Sequence, residues 1–157
     1  MLDLLFEILI DSREKKPYSF SSITPPPATH ICTLKTGDYS LSNLSDEVTI
    51  ERKSLSDLYS TLGRGRKRFI RELERMQRYN YAAVIIESSW LGIIRNPPPR
   101  SRLNPKTIYA SIVAWQIRYN IHFWTVPNRA FGEKTTYRLL DRYFRDHKKD
   151  VADGKNA

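Results

Sequence analysis

The chain opens on an apolar run at residues 4–10 that gives way to charge at 11–16, the pattern of a buried strand ending at a surface. Residues 21–29 hold Pro25, Pro26 and Pro27 in succession and predict a loop, because proline donates no backbone hydrogen bond. Short runs at 31–34 and 39–44 predict strands around a turn at Gly37. Residues 48–52 predict another, entered through the polar turn 45–47. Ser54, with Asp57 three residues on, has the form of a capping box and starts a short helix over 54–62. Gly63 and Gly65 punctuate it before a longer helix over 66–79. There Leu73 and Met76 lie within about 40° of Phe69 at ~100° per residue. Arg68, Arg71, Arg75 and Arg78 lie opposite, with Lys67 near them.

The continuous apolar run 82–86 predicts a buried strand. Residues 92–105, with four prolines and with Arg95, Arg100 and Arg102, predict an exposed, mobile loop. A helix follows over 106–119. It carries Ile108, Ile112, Trp115 and Tyr119 at helical spacing, a stripe suited to core or interface packing. Residues 122–126 form a last strand, 131–149 a last helix, and 151–157 a polar, frayed tail. A strand meander followed by crossovers predicts an α/β fold over 1–150, a mixed central sheet flanked by helices in a single domain.

Composition narrows the class. The chain's 157 residues, 40% hydrophobic, suit one globular domain. No apolar run approaches the ~20 residues of a membrane span, and no cleavage-site pattern follows the opening run. An intracellular setting is expected. Cys32 is the only cysteine, which excludes an internal disulfide framework, and it reads as buried. His30, His122 and His147 lack metal-ligand spacing, and no phosphate-binding glycine loop is present, so no nucleotide cofactor is expected.

Charge then points to a partner. Twenty-six Lys and Arg against 17 Asp and Glu give a net charge of +9. Such an excess suits a polyanion, most often nucleic acid, because neutralised phosphates release counterions. An ordinary basic surface gives the same number, so charge names a partner class and no reaction.

The chemistry gathers in the first third. Glu51 and Lys53, two apart on a strand, point to one face with Cα atoms roughly 6–7 Å apart. A carboxylate there can hold a hard cation while the lysine orients or deprotonates water. Asp38, on a neighbouring strand, can supply a second carboxylate, and Mg²⁺ takes only one or two from protein. A surface salt bridge between Glu51 and Lys53 explains the same two residues without any reaction. Gly-Asp, a spacer and then Glu-x-Lys is the form of the PD-(D/E)XK nuclease signature, short and degenerate by itself.

The longer context is more specific. Ile10-Asp-Ser-Arg-Glu14, Thr36-Gly-Asp-Tyr-Ser40 and Ile50-Glu-Arg-Lys-Ser-Leu-Ser-Asp-Leu58 together resemble the nuclease domain of the XPF family of structure-specific endonucleases. The Glu51-Arg52-Lys53 triplet with Asp57 matches that family's signature, and the resemblance is strong over 8–87 and weaker to the last helix. It implies a restriction-endonuclease-like fold and Mg²⁺- or Mn²⁺-dependent cleavage of branched, flapped or junction DNA.

The resemblance also implies roles. Asp38 and Glu51 would ligate metal, Asp11 would be a possible further ligand, and Lys53 would act on the attacking water. Arg13, Glu14 and Arg52 would orient this shell or contact the scissile phosphate. Asp57 is either catalytic or only a helix cap, Glu87 reads as structural, and Tyr39 as packed on the sheet. Arg64, Arg66, Lys67, Arg68, Arg71, Arg75 and Arg78 would contact DNA. The resemblance covers the nuclease domain without a tandem helix-hairpin-helix module, so branch specificity is not implied with equal force. The family's nuclease domains pair through a C-terminal helix and strand, which suggests a homodimer using Ile121, Phe123 and Trp124 or the Trp115 stripe. A catalytically silent DNA-binding or dimer-partner domain, and a nuclease with a restriction, recombination or RNA-cleaving role, remain alternatives.

Overall fold

The computed structural model describes residues 4–155. Six strands form one sheet: β1 (Glu7–Asp11), β2 (Ala28–Cys32), β3 (Tyr39–Leu41), β4 (Val48–Lys53), β5 (Tyr81–Ile86) and β6 (His122–Thr125). Their order is β2-β1-β3-β4-β5-β6. β1 runs parallel to β2 and antiparallel to β3, which is antiparallel to β4; β4, β5 and β6 are parallel. The helices are α1 (Leu55–Leu62), α2 (Arg66–Met76), α3 (Trp90–Arg95), α4 (Pro105–Tyr119) and α5 (Arg129–Ala152). The mixed α/β sheet flanked by helices is the architecture that the pattern predicts.

Each face of the sheet has its own core. On one, Ala82, Val84 and Ile86 of β5 meet Leu58, Phe69, Leu73, Met76, Ile93, Ile112 and Trp115 from the first four helices. On the other, Ile8, Ile50, Ala83 and Ile85 meet Tyr18, Phe20 and Tyr39, together with Leu140 and Phe144 of α5. Strand alternation produces this division: the apolar run of β5 is buried on both faces because helices cover both.

Several boundaries differ from those predicted. The second strand is Ala28–Cys32, because it pairs in register with the whole of β1, so residues 28 and 29 leave the proline loop. Cys32 is half-buried there, since β2 is an edge strand with only one neighbour. The strand predicted at 39–44 ends at Leu41, where Asn43 takes a left-handed backbone with φ 65°. Residues 92–95 belong to α3, capped by Ser89 and anchored by buried Ile93, and only the stretch beyond Arg95 is a connection. α5 continues through Val151 and Ala152, so the expected tail begins later; residues 156 and 157 of that tail, and 1–3 of the predicted domain, lie outside the described residues. Ile108, Ile112, Trp115 and Tyr119 all enter the core. Among the described residues, no helix is long and apolar enough to cross a membrane.

Candidate active site

Asp38 is placed by backbone geometry. Gly37 takes φ +83°, and a Cβ there would overlap the Thr49 hydroxyl, which donates to the Thr36 carbonyl at 2.8 Å. Beyond this turn the Asp38 N–H donates to the Ile50 carbonyl at 2.9 Å, and its carbonyl accepts from the Asp11 N–H at 2.8 Å. The Asp38 side chain then accepts from the Arg52 N–H at 2.8 Å. The residue thus lies between the ends of β1 and β4.

Glu51 and Lys53 share one face of β4, with Lys53 Nζ 3.1 Å from Glu51 Oε1 and both side chains largely buried. The ammonium also lies 5.0 Å from the Phe69 ring centroid, on α2. Burial pushes the Glu51 carboxyl well above its usual range, and the Asp38 and Glu72 charges add to this against Lys53. Burial pushes Asp38 up to about 6; the Arg52 N–H pulls it down and the Glu14 charge pushes it up. Burial pulls Lys53 down, but the Glu51 and Glu72 charges outweigh it and hold the ammonium above its ordinary pKa.

Glu72 is the residue that sequence reading missed. The structure places its charge near enough to Glu51 and Lys53 to push the pKa of both up. Its signal was position: it lies one turn beyond Phe69, on the flank of the helix's buried stripe.

The other motif residues sort into two different roles. Asp11 is buried, but its carboxylate accepts from the Leu34 N–H at 2.8 Å and from Arg13 Nε at 3.0 Å. Burial raises its pKa, while Arg13 and the Leu34 N–H more than compensate and hold it below the usual range. Arg52 points to the opposite sheet face from Glu51 and Lys53, as alternation requires. Its guanidinium makes two 3.1 Å bonds to Glu14 and one of 2.7 Å to Glu87, which also accepts from Tyr18 Oη at 2.7 Å. The Tyr39 hydroxyl accepts from the Tyr18 N–H at 2.8 Å. Arg13 therefore orients Asp11, whereas Glu14, Arg52 and Glu87 form a buried ionic brace behind the sheet. Asp57 is exposed, and its N–H donates to Ser54 Oγ at 3.1 Å, the bond of a helix cap.

Among the described residues, no three His, Cys, Asp or Glu side chains form a group able to hold a metal ion. The three-ligand set of Asp11, Asp38 and Glu51 is thus not assembled here, since Asp11 is taken up by Arg13 and Leu34. The pair Asp38 and Glu51 still suits a divalent cation. Burial raises both carboxyls and the Asp38 charge raises Glu51 further, a strain that positive charge would relieve, and Mg²⁺ accepts so few protein ligands.

On α2, Lys67, Arg68 and Arg71 are exposed, as are Arg64 before it and Arg78 just beyond its end at Met76, short of the predicted 79. Arg75 is exposed but tethered, Nε donating to the Thr36 hydroxyl at 3.2 Å. Arg66 departs from the predicted free cation: it is half-buried, stacks 4.8 Å over the Trp115 ring and donates to Ser111 Oγ at 2.9 Å.

Comparisons with known proteins bear on the family and the fold. The ERCC4 domain model matches residues 10–139. The structure of XPF from Aeropyrum pernix is similar with a TM-score of 0.65 at 23% identity, covering 96% of this chain and 69% of that one. XPF from Aeropyrum pernix in complex with DNA is similar with a TM-score of 0.66 at 24% identity, covering 92% and 66%. This chain thus spans about two thirds of each, and at these identities the likeness is one of fold. No curated protein matches the sequence. Residues 10–139 match one domain model across all three motif segments, and the chain accordingly belongs to the ERCC4 domain family.

Proposed function

We propose that this chain is a divalent-cation-dependent DNA endonuclease, with Asp38, Glu51 and Lys53 at its centre. The observation that carries the reading is the buried Glu51 carboxylate paired with the Lys53 ammonium on one face of β4, with the half-buried Asp38 carboxylate held by the Arg52 N–H of the same strand. Asp38 and Glu51 would hold Mg²⁺ or Mn²⁺. Such an ion supplies polarisation of a phosphoryl oxygen and a lowered pKa for bound water.

The chain's own residues do the rest. Lys53 is protonated at neutral pH, which supports orienting water and offsetting charge on the phosphate over removing a proton directly. Glu72 adds negative charge beside Glu51 and so favours a bound cation there. Arg64, Lys67, Arg68, Arg71, Arg75 and Arg78 would seat the DNA backbone beside the site. Asp11 serves by holding the turn at Leu34, and Asp57 by beginning α1. Branched, flapped or junction DNA is the proposed substrate, on the sequence resemblance.

We also propose one functional domain over residues 1–150 and an intracellular place of action, where DNA is found. A homodimer is part of the reading, but its contacts shift. Ile121 and the Trp115 stripe are core, while Tyr109, Val113 and Ile117 form an exposed apolar row on α4, and Trp124 on β6 is exposed.

One assay tests the reading: linear, flapped and four-way DNA, each with Mg²⁺, Mn²⁺ or EDTA. Cleavage with a metal ion and none in EDTA is expected. Binding without cleavage of any substrate would favour a catalytically silent DNA-binding domain. Preferential cleavage of RNA or of a defined linear sequence would move the chain to another nuclease role.

A further inference from the structure

Between α2 and α4 lies a groove whose role follows if this chain binds DNA, as proposed above. The groove has a volume of about 440 Å³ and is lined by Arg66, Lys106, Ser111, Trp115 and Arg118, with small residues between them. None of the described residues lining it is acidic. Among the described residues, none of its three cations stands in an ion pair.

Helical spacing builds the trough. Lys106, Ala110, Ala114 and Arg118 fall every four residues along the outer side of α4. The two alanines leave open space between the two cations, which are ~18 Å apart along the axis at ~1.5 Å per residue. A DNA duplex rises ~3.4 Å per base pair along its axis, so the trough matches about five base pairs of duplex length. The floor is fixed. Trp115 is buried, and its ring faces the Arg66 guanidinium at 4.8 Å, while the buried Ser111 accepts from Arg66 at 2.9 Å. Ordering this cation in advance lowers the entropy lost when a phosphate meets it.

The groove stands close to the site yet apart from it. Trp115 packs edge-on against Phe69 at 5.6 Å, and Phe69 lies under the Lys53 ammonium at 5.0 Å. On α2, Arg66 and Glu72 flank the buried Phe69 on opposite sides, about 60° each way at ~100° per residue. Glu72 looks to the carboxylates and Arg66 to α4. We infer that the α2–α4 groove is a second seat for the DNA backbone, holding phosphates away from the scissile bond. The substrate then bridges two cationic tracks, the exposed arginines of α2 and this trough, so the two sides of α2 engage separate stretches of DNA.

The test measures binding by fluorescence anisotropy in EDTA across a salt series, with flapped and linear DNA, followed by single-turnover cleavage at saturating protein. Lys106→Gln combined with Arg118→Gln should weaken flap binding about tenfold near 0.1 M salt and lower the slope of log K against log salt by one to two. Ala110→Glu adds a carboxylate to the trough without removing a cation, and should weaken binding too. The saturated cleavage rate and the thermal midpoint should stay unchanged in both. Unchanged affinity and slope would overturn the inference, as would a fall in the saturated rate, which would place the groove in the chemistry. A loss confined to an acidic peptide, with DNA binding intact, would also overturn it and assign a protein partner. The binding arm stands apart from the nuclease reading: a wild-type chain that binds DNA but cuts none defeats that reading and leaves this inference to be judged by affinity.

Discussion

The backbone N–H of Arg52 donates to the Asp38 carboxylate at 2.8 Å, while the Arg52 side chain turns to the other face of the sheet. One residue therefore serves both sides. Its main chain holds the candidate metal ligand, and its guanidinium closes the brace with Glu14 and Glu87. The central residue of the Glu-Arg-Lys triplet is thus a support for the site.

Replacing Arg52 should therefore act first through stability. Arg52→Ala leaves Glu14 and Glu87 buried without their shared partner, and breaking such a pair costs about 3–5 kcal/mol. Urea unfolding should show a fall of that size, with cleavage lost as the folded fraction falls. A fully stable variant without cleavage would show instead that Arg52 meets substrate directly.

Lys53→Ala should separate chemistry from binding. Its ammonium is committed to Glu51 at 3.1 Å and to the ring of Phe69, on the buried stripe of α2 opposite its arginines. Cleavage should fall at least about a hundredfold. DNA affinity, measured by anisotropy in EDTA, should change little. Retained activity would remove Lys53 from the site.

Gly37 should prove intolerant of any side chain. Its φ of +83° and the Thr49 hydroxyl against it both penalise alanine, by about 1–3 kcal/mol in all. Gly37→Ala should lower the thermal midpoint and also displace Asp38, so cleavage should fall more than the folded fraction does. Equal losses in both would show that the turn matters to folding alone.

Stability without divalent metal should fall as pH rises through the window from about 4 to about 6.5. Asp38, pushed up to about 6 by burial, and Glu51, pushed well above the ordinary carboxylate range by burial and by the Asp38 and Glu72 charges, bind protons more tightly folded than unfolded. In that window the native state carries more protons than the unfolded chain, so raising the pH favours unfolding, by about 2 kcal/mol. Asp11 and Glu14 have lowered pKa values and act with opposite sign, their stabilisation being lost as pH falls below the ordinary carboxylate range. Chemical denaturation in EDTA at several pH values measures the slope, and Asp38→Asn should flatten it. A midpoint that rises steadily across the window would refute the assignment of these two carboxylates as strained.

Sequence alone determined what periodicity and short-range spacing encode. Alternation placed Glu51 and Lys53 on one face of a strand, the period of α2 placed Phe69, Leu73 and Met76 inward, and the Ser54 cap began α1. The three motif segments named the family because their order is itself a property of the sequence. Tertiary structure decided what depends on contacts between distant segments. Asp11 meets Leu34 across 23 positions and is saturated there, Arg52 meets Glu14 across 38, and Glu72 reaches Glu51 only because α2 lies on β4. Arg66 looked free until α4 brought Ser111 and Trp115 beneath it. A side chain's face can be read from its own strand or helix, but its partner cannot, because the partner's position is set by how the elements pack.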